Sequence, residues 1–157
     1  MRRRFLQATT AQQQSAGDVA RWVLDANIVV KWALAEDFTT EANLFRADEH
    51  ELVAPDVILW EAMNVLVGKA QQRMVPYEVV GGMLPTIYDR FDLYDSELLM
   101  DQALDVAFRS NMSLFDALYV LVAAIENCPL VTADNGLVNA TRQRYGDLVV
   151  PLSSFRA

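Results

Sequence analysis

Cysteine and histidine are nearly absent: Cys128 and His50 are the only examples among 157 residues. One cysteine excludes an internal disulfide and suits a reducing compartment, so a cytoplasmic location is expected. Cys128 beside Pro129 reads as a core residue at the entry to a strand. The pair is too small for a Cys/His zinc centre, and one histidine cannot build a two-histidine ribonuclease site. A Ser-His-Asp triad would have to use His50, but that residue sits in the polar stretch Arg46-Ala47-Asp48-Glu49-His50-Glu51. No nucleophile-elbow pattern accompanies it. Walker and dinucleotide-binding glycine patterns are missing as well. No apolar run reaches the roughly 18 residues of a membrane span. Basic residues are outnumbered, 13 against 21 acidic ones, for a net charge of −8. That argues against a binder relying on direct neutralisation of phosphates. It leaves open phosphate chemistry in which bound ions supply the positive charge. Any catalysis must come from carboxylates.

What is present reads as one globular domain. Hydrophobic residues make up 53% and charged residues 22%, enough to build a core and too apolar for disorder. Residues 1–20 stand apart. Arg2-Arg3-Arg4-Phe5-Leu6 has the look of a twin-arginine export signal, but Ala-Thr-Thr-Ala-Gln-Gln-Gln-Ser follows in place of the apolar region export needs. A flexible extension over 1–20 and a single domain over 21–157 are expected.

From residue 21 strands alternate with helices. Strands are expected at Arg21–Asp25, Glu51–Ala54, Phe91–Tyr94, Leu130–Ala133 and Leu148–Val150. Helices are expected at Ile28–Leu34, Thr39–Asp48, Pro55 to about Arg73, from Pro76 onward, Ser96 to about Arg109, Ser113–Glu126 and Asn135–Arg144. The helix from Pro76 is weakened by Gly81, Gly82 and Pro85. Such alternation implies right-handed crossovers and a three-layer α/β/α domain around a short central parallel sheet. Ligands in such sheets bind beyond the carboxyl ends of the strands.

Four carboxylates stand where filler is hardest to invoke. Asp25 closes the run Trp22-Val23-Leu24, and Asp134 closes Leu130-Val131-Thr132-Ala133. Both also read as helix-capping or turn residues, Asp134 more so because Asn135-Gly136 follows. Asp116 is the one charge between Arg109 and Glu126, and Ser113 three residues earlier completes a capping pattern around it. Glu61 shares a narrow polar stripe with Asn64 and Gly68 on a helix whose other residues are apolar: Ile58, Leu59, Ala62, Val65 and Leu66 form one face, extended by Trp60, Met63 and Val67. Asn27 and Thr132 add polar groups at the same strand ends. Two like charges about 4 Å apart repel by about 4 kcal/mol at an effective dielectric near 20. Four gathered acids therefore call for a cation, and an all-oxygen donor set favours Mg²⁺ or Mn²⁺.

Four stretches carry a resemblance: Val23-Leu24-Asp25-Ala26-Asn27; Ala54-Pro55-Asp56 leading to Glu61-Ala62-Met63-Asn64-Val65-Leu66; Ser113-Leu114-Phe115-Asp116-Ala117-Leu118-Tyr119; and Pro129-Leu130-Val131-Thr132-Ala133-Asp134. In this order, across residues 21 to 152, the chain resembles a PIN-domain ribonuclease, most closely the VapC toxins of bacterial toxin–antitoxin pairs. The resemblance implies a metal-dependent endoribonuclease in which Asp25, Glu61, Asp116 and Asp134 bind Mg²⁺ or Mn²⁺, with Asn27, Thr132 and Asn64 in support. It further implies a homodimer and a small antitoxin covering a helical groove and the active site. Two other readings stay open. One is an aspartate-dependent phosphatase, disfavoured because Asn27 occupies the position of its second acid; the other is a partner-binding domain without turnover.

Overall fold

The computed structural model describes residues 19–155, so most of the expected extension and the last two residues lie outside the described part. Five strands form one sheet: β1 (Arg21–Leu24), β2 (Glu51–Pro55), β3 (Phe91–Tyr94), β4 (Leu130–Thr132) and β5 (Val149–Pro151). The helices are α1 (Ala26–Ala33), α2 (Thr39–Asn43), α3 (Val57–Gln71), α4 (Tyr77–Arg90), α5 (Ser96–Ser110), α6 (Leu114–Glu126) and α7 (Asn135–Tyr145).

The strand order is β3-β2-β1-β4-β5, and every pairing is parallel. Val23 pairs with both Val53 and Leu130, which makes β1 the central strand. Val23, Leu24, Val53, Ala54, Leu130 and Val131 are wholly buried, as befits strands covered on both faces. The chain steps outward through β1, β2 and β3 and then returns past β1 to β4 and β5. Right-handed crossovers therefore put α1 to α4 on one face and α5 to α7 on the other. The packing agrees: α3 touches α1 and α4, and α5 touches α6 and α7. The order reverses between β1 and β4, so the switch point of the sheet lies at the carboxyl ends of those two strands.

Local chemistry moves several expected boundaries. The helix expected over Thr39–Asp48 stops at Asn43 and tightens into a 3₁₀ turn at Leu44–Arg46. Pro55 belongs to β2, opposite Tyr94, where its missing N–H is tolerated, and α3 starts at Val57. Asp95, not Ser96, caps α5, its carboxylate accepting the Glu97 amide. Gly81, Gly82 and Pro85 do not interrupt α4, because buried Val80, Met83 and Ile87 anchor it at helical spacing. Cys128 is buried, as expected. Among the described residues no single helix is long and apolar enough to cross a membrane.

The larger correction concerns α3. Only Ile58, Ala62 and Leu66 are buried, while Trp60 is 77% exposed and Val65 and Val67 are also exposed. One i, i+4, i+8 stripe meets the core, and the flank expected to extend it opens toward α4. There Leu59, Trp60 and Met63 line a groove of about 370 Å³ with Leu84, Tyr88 and Phe91. Truncation should separate the two faces of α3 in urea denaturation. Leu66→Ala is expected to cost about 2–5 kcal/mol through loss of burial and a residual cavity, and Trp60→Ala within about 0.5 kcal/mol. Equal costs would mean that Trp60 belongs to the core.

Candidate active site

Asp25 follows β1 directly and is only 9% exposed. Its Oδ2 accepts hydrogen bonds from the Thr132 hydroxyl at 2.6 Å and the Asn27 amide at 2.7 Å. The Asn27 Nδ2 group also donates to Thr132 Oγ1 at 3.1 Å, and its Oδ1 accepts the Ala133 amide at 3.0 Å. Thr132 Oγ1 receives the Asp134 amide as well, at 3.0 Å. Three of these five bonds cross the switch point, joining Asp25 and Asn27 to Thr132 and Ala133. Asn27 and Thr132, expected as supporting groups, are thus both bonded to Asp25.

Glu61 reaches the same region from the opposite helical layer. It is half-buried on α3, and its Oε2 accepts the Tyr119 hydroxyl of α6 at 2.8 Å. Asp116 lies in the first turn of α6, its own amide held by Ser113 Oγ at 3.0 Å, so the expected cap is present. The charges act on one another. Burial raises the Asp25 carboxyl from 3.8 to about 6, against the hydrogen bond from Thr132, and Asp116 adds to the rise. Burial raises Glu61 from 4.5 to about 7, against the Tyr119 bond, with Asp25 and Asp116 both contributing. Burial, with the charges of Glu61 and Asp25, also holds the Tyr119 phenol well above its ordinary 10, so it stays a donor.

Asp134 and Asn64 behave differently. Asp134 is exposed and caps α7, its Oδ1 accepting the amides of Gly136 at 2.7 Å and Leu137 at 3.3 Å. It is not among the charges that raise Asp25 or Glu61. Gly136 suits that cap, since a Cβ there would stand 2.9 Å from Asp134 Oδ1 and the capping carboxylate would have to shift. Asn64 is exposed, and among the described residues its side chain makes no hydrogen bond. The sequence reading overlooked the bond from Tyr119 to Glu61. Its signal was a lone polar tip in the run Ala117-Leu118-Tyr119-Val120, one turn after Asp116.

Among the described residues no three His, Cys, Asp or Glu side chains are gathered tightly enough to form a ready metal cage. The donor set nevertheless suits a hard divalent ion. It is all oxygen, and within it the carboxyls of Asp25 and Glu61 are raised toward neutrality, mainly by burial, a burden that a cation would offset. Mg²⁺ commonly uses one or two carboxylates and keeps several waters, so it needs no full protein cage. The apolar groove beside α3 is a separate feature, since none of the four acids lines it.

The fold is a parallel α/β sheet with the buried carboxylate of Asp25 at its switch point and Glu61 and Asp116 near enough for their charges to be felt. The PIN domain model matches residues 22–143, and the chain belongs to that family. PIN domains are generally nucleases and typically use divalent metals. The crystal structure of PAE2754 from Pyrobaculum aerophilum is similar, with a TM-score of 0.64 over 87% of this chain and 86% of that one at 21% identity, a likeness of fold. No curated protein matches in sequence.

The raised carboxyls set a pH dependence. Folded Asp25 and Glu61 hold protons more tightly than the unfolded chain, so their contribution is fully present below about pH 4. It is lost as pH rises through about 6 and 7. In EDTA, unfolding free energy should therefore fall between pH 4 and 7, with Asp25 accounting for about 3 kcal/mol. Asp25→Asn and Glu61→Gln should each flatten that slope. A wild-type profile unchanged in either variant would remove that residue from the coupled site.

Proposed function

We propose that this chain is a Mg²⁺- or Mn²⁺-dependent endoribonuclease, the VapC-like toxin of a type II toxin–antitoxin pair, acting in the cytoplasm as a homodimer. The observation that carries the catalytic part is the raised carboxyls of Asp25 and Glu61, lifted first by burial, with Asp116 adding to both and Asp25 adding to Glu61. Separate elements bring together acids that repel, which burdens the fold unless a cation belongs there.

In this reading Asp25 and Asp116 hold the principal ion, while Glu61 and Asp134 position the attacking water or a second, weaker ion. When bound, the ion supplies Lewis acidity to the water and to the leaving oxygen of a phosphodiester. Thr132 and Asn27 keep Asp25 ionisable and fixed by donating to one of its oxygens. Asp134 is anchored at one oxygen by the α7 amides, which suits the weaker of these roles. Asn27 sits where an aspartate-dependent phosphatase needs its second acid, and its amide is engaged on both sides in the clamp.

The toxin assignment rests on the four matching sequence motifs, and the apolar groove between α3 and α4 supports it. Trp60 lines that groove with Leu59 and Met63, an exposed apolar surface on which an antitoxin peptide could lie. An antitoxin arginine could then pair with the carboxylates in bidentate fashion.

The deciding experiment is RNA cleavage by wild type, Asp25→Asn and Asp116→Asn with Mg²⁺, Mn²⁺ or EDTA. Cleavage should require metal and fall by roughly 100-fold or more in either variant, the scale of losing one preorganised charge-stabilising group. Asp134→Asn should lose less. Mg²⁺ at about 100 times its Kd should stabilise wild type by about 2.7 kcal/mol, and Asp116→Asn should blunt that gain. Metal-independent cleavage, or full activity in Asp116→Asn, would overturn the mechanism. Hydrolysis of phosphate monoesters with intact RNA would favour the phosphatase.

A further inference from the structure

We infer that Tyr119 is a positioning residue for Glu61, fixing one carboxylate oxygen so that the other is the one offered to a ligand. The inference rests on the nuclease reading above and adds a residue to it.

The geometry is specific. Tyr119 is 1% exposed and follows Asp116 by one turn of α6. Its neighbours Ala117, Leu118 and Val120 are buried and apolar, so packing alone would be served by phenylalanine. A buried hydroxyl is costly without a partner. Its partner is a side chain from the other helical layer: the hydroxyl donates to Glu61 Oε2 at 2.8 Å, over the carboxyl end of the sheet. Among the described residues nothing donates to Glu61 Oε1.

The consequences follow from side-chain freedom. Glutamate has three rotatable bonds, and among the described residues this is the one hydrogen bond that restrains its carboxylate. Asp25, by contrast, is short and doubly held. Asp116 sits on the same helix as Tyr119, so one rigid element places one acid directly and orients a second through a hydroxyl. That couples the spacing of α3 and α6 to the geometry of the site. Hydrogen-bond partners of metal-binding groups of this kind are typically worth about 10- to 100-fold in metal affinity or activity.

The test uses the full chain and Mn²⁺ as the probe. Mn²⁺ affinity is read by electron paramagnetic resonance, the tyrosine near-ultraviolet difference spectrum is recorded on Mg²⁺ addition, and kcat and KM are measured on RNA. Tyr119→Phe is expected to weaken Mn²⁺ binding about 10-fold and to lower kcat with KM for RNA nearly unchanged. In a Glu61→Gln background the same change should add nothing. Wild type should show a tyrosine difference signal on Mg²⁺ binding that Glu61→Gln lacks, a readout that holds even if Tyr119→Phe folds poorly. Wild-type Mn²⁺ affinity in folded Tyr119→Phe, full additivity with Glu61→Gln, or Mg²⁺ binding by wild type with no tyrosine signal would each overturn the role of Tyr119 alone. A wild type that neither binds Mn²⁺ nor cleaves RNA would instead overturn the nuclease reading beneath it.

Discussion

The hydroxyl of Thr132 meets three groups at once, and the functional end of the molecule is arranged around that meeting. It donates to Asp25, accepts from Asn27 and accepts the backbone amide of Asp134. A carboxylate with 9% exposure is affordable only when its oxygens are hydrogen-bonded. By satisfying Asp25, Thr132 and Asn27 also set where β1 ends, where α1 begins and how β4 turns into α7. Valine would fill the volume of Thr132 and leave all three partners short of a bond. Local geometry and the geometry of the candidate site are therefore one constraint here.

That constraint produces a conflict which the fold contains but does not remove. Asp25, Glu61 and Asp116 come from a strand end and two helices on opposite sides of the sheet, and their charges oppose one another. Among the helices that begin at this end of the sheet, α1 starts after Asp25, α6 just before Asp116 and α7 after Asp134. Their N-terminal dipoles favour negative charge, each by roughly 0.3–1 kcal/mol at exposed positions. This is less than the burial that lifts Asp25 to about 6 and Glu61 to about 7. Uptake of protons settles the balance in the metal-free protein. A site that binds protons near neutrality can exchange them for a divalent ion.

Much of this was legible in the residues. The alternation of strand and helix gave the parallel sheet, because continuous apolar runs such as Val23-Leu24 and Leu130-Val131 suit only strands covered on both faces. Asp25 with Asn27 and Thr132 could be read as one mouth because strand ends in such sheets converge. One thing was legible only as an alternative, and another could not be read. The side chain of Asp134 answers to its nearest amides, and Asn135-Gly136 had already advertised that competing role. The Tyr119–Glu61 bond joins residues far apart in sequence, and periodicity carries no information about which polar tips meet across layers.

The α3 helix shows why its pattern misled. Apolar on nearly every side, it reads as a buried helix, yet it is only half one. Ile58, Ala62 and Leu66 serve the core, Glu61 meets the Tyr119 hydroxyl, and Trp60 with Leu59 and Met63 lines the groove beside α4. Exposed Trp60 adds little to the stability of the folded monomer, and a contiguous exposed apolar patch raises the risk of association. The net charge of −8 offsets that risk by repulsion between copies. Stability alone would have placed lysine or glutamate at position 60. The aromatic residue held there is not explained by the core, because its ring lies outside it and lines the groove beside α4.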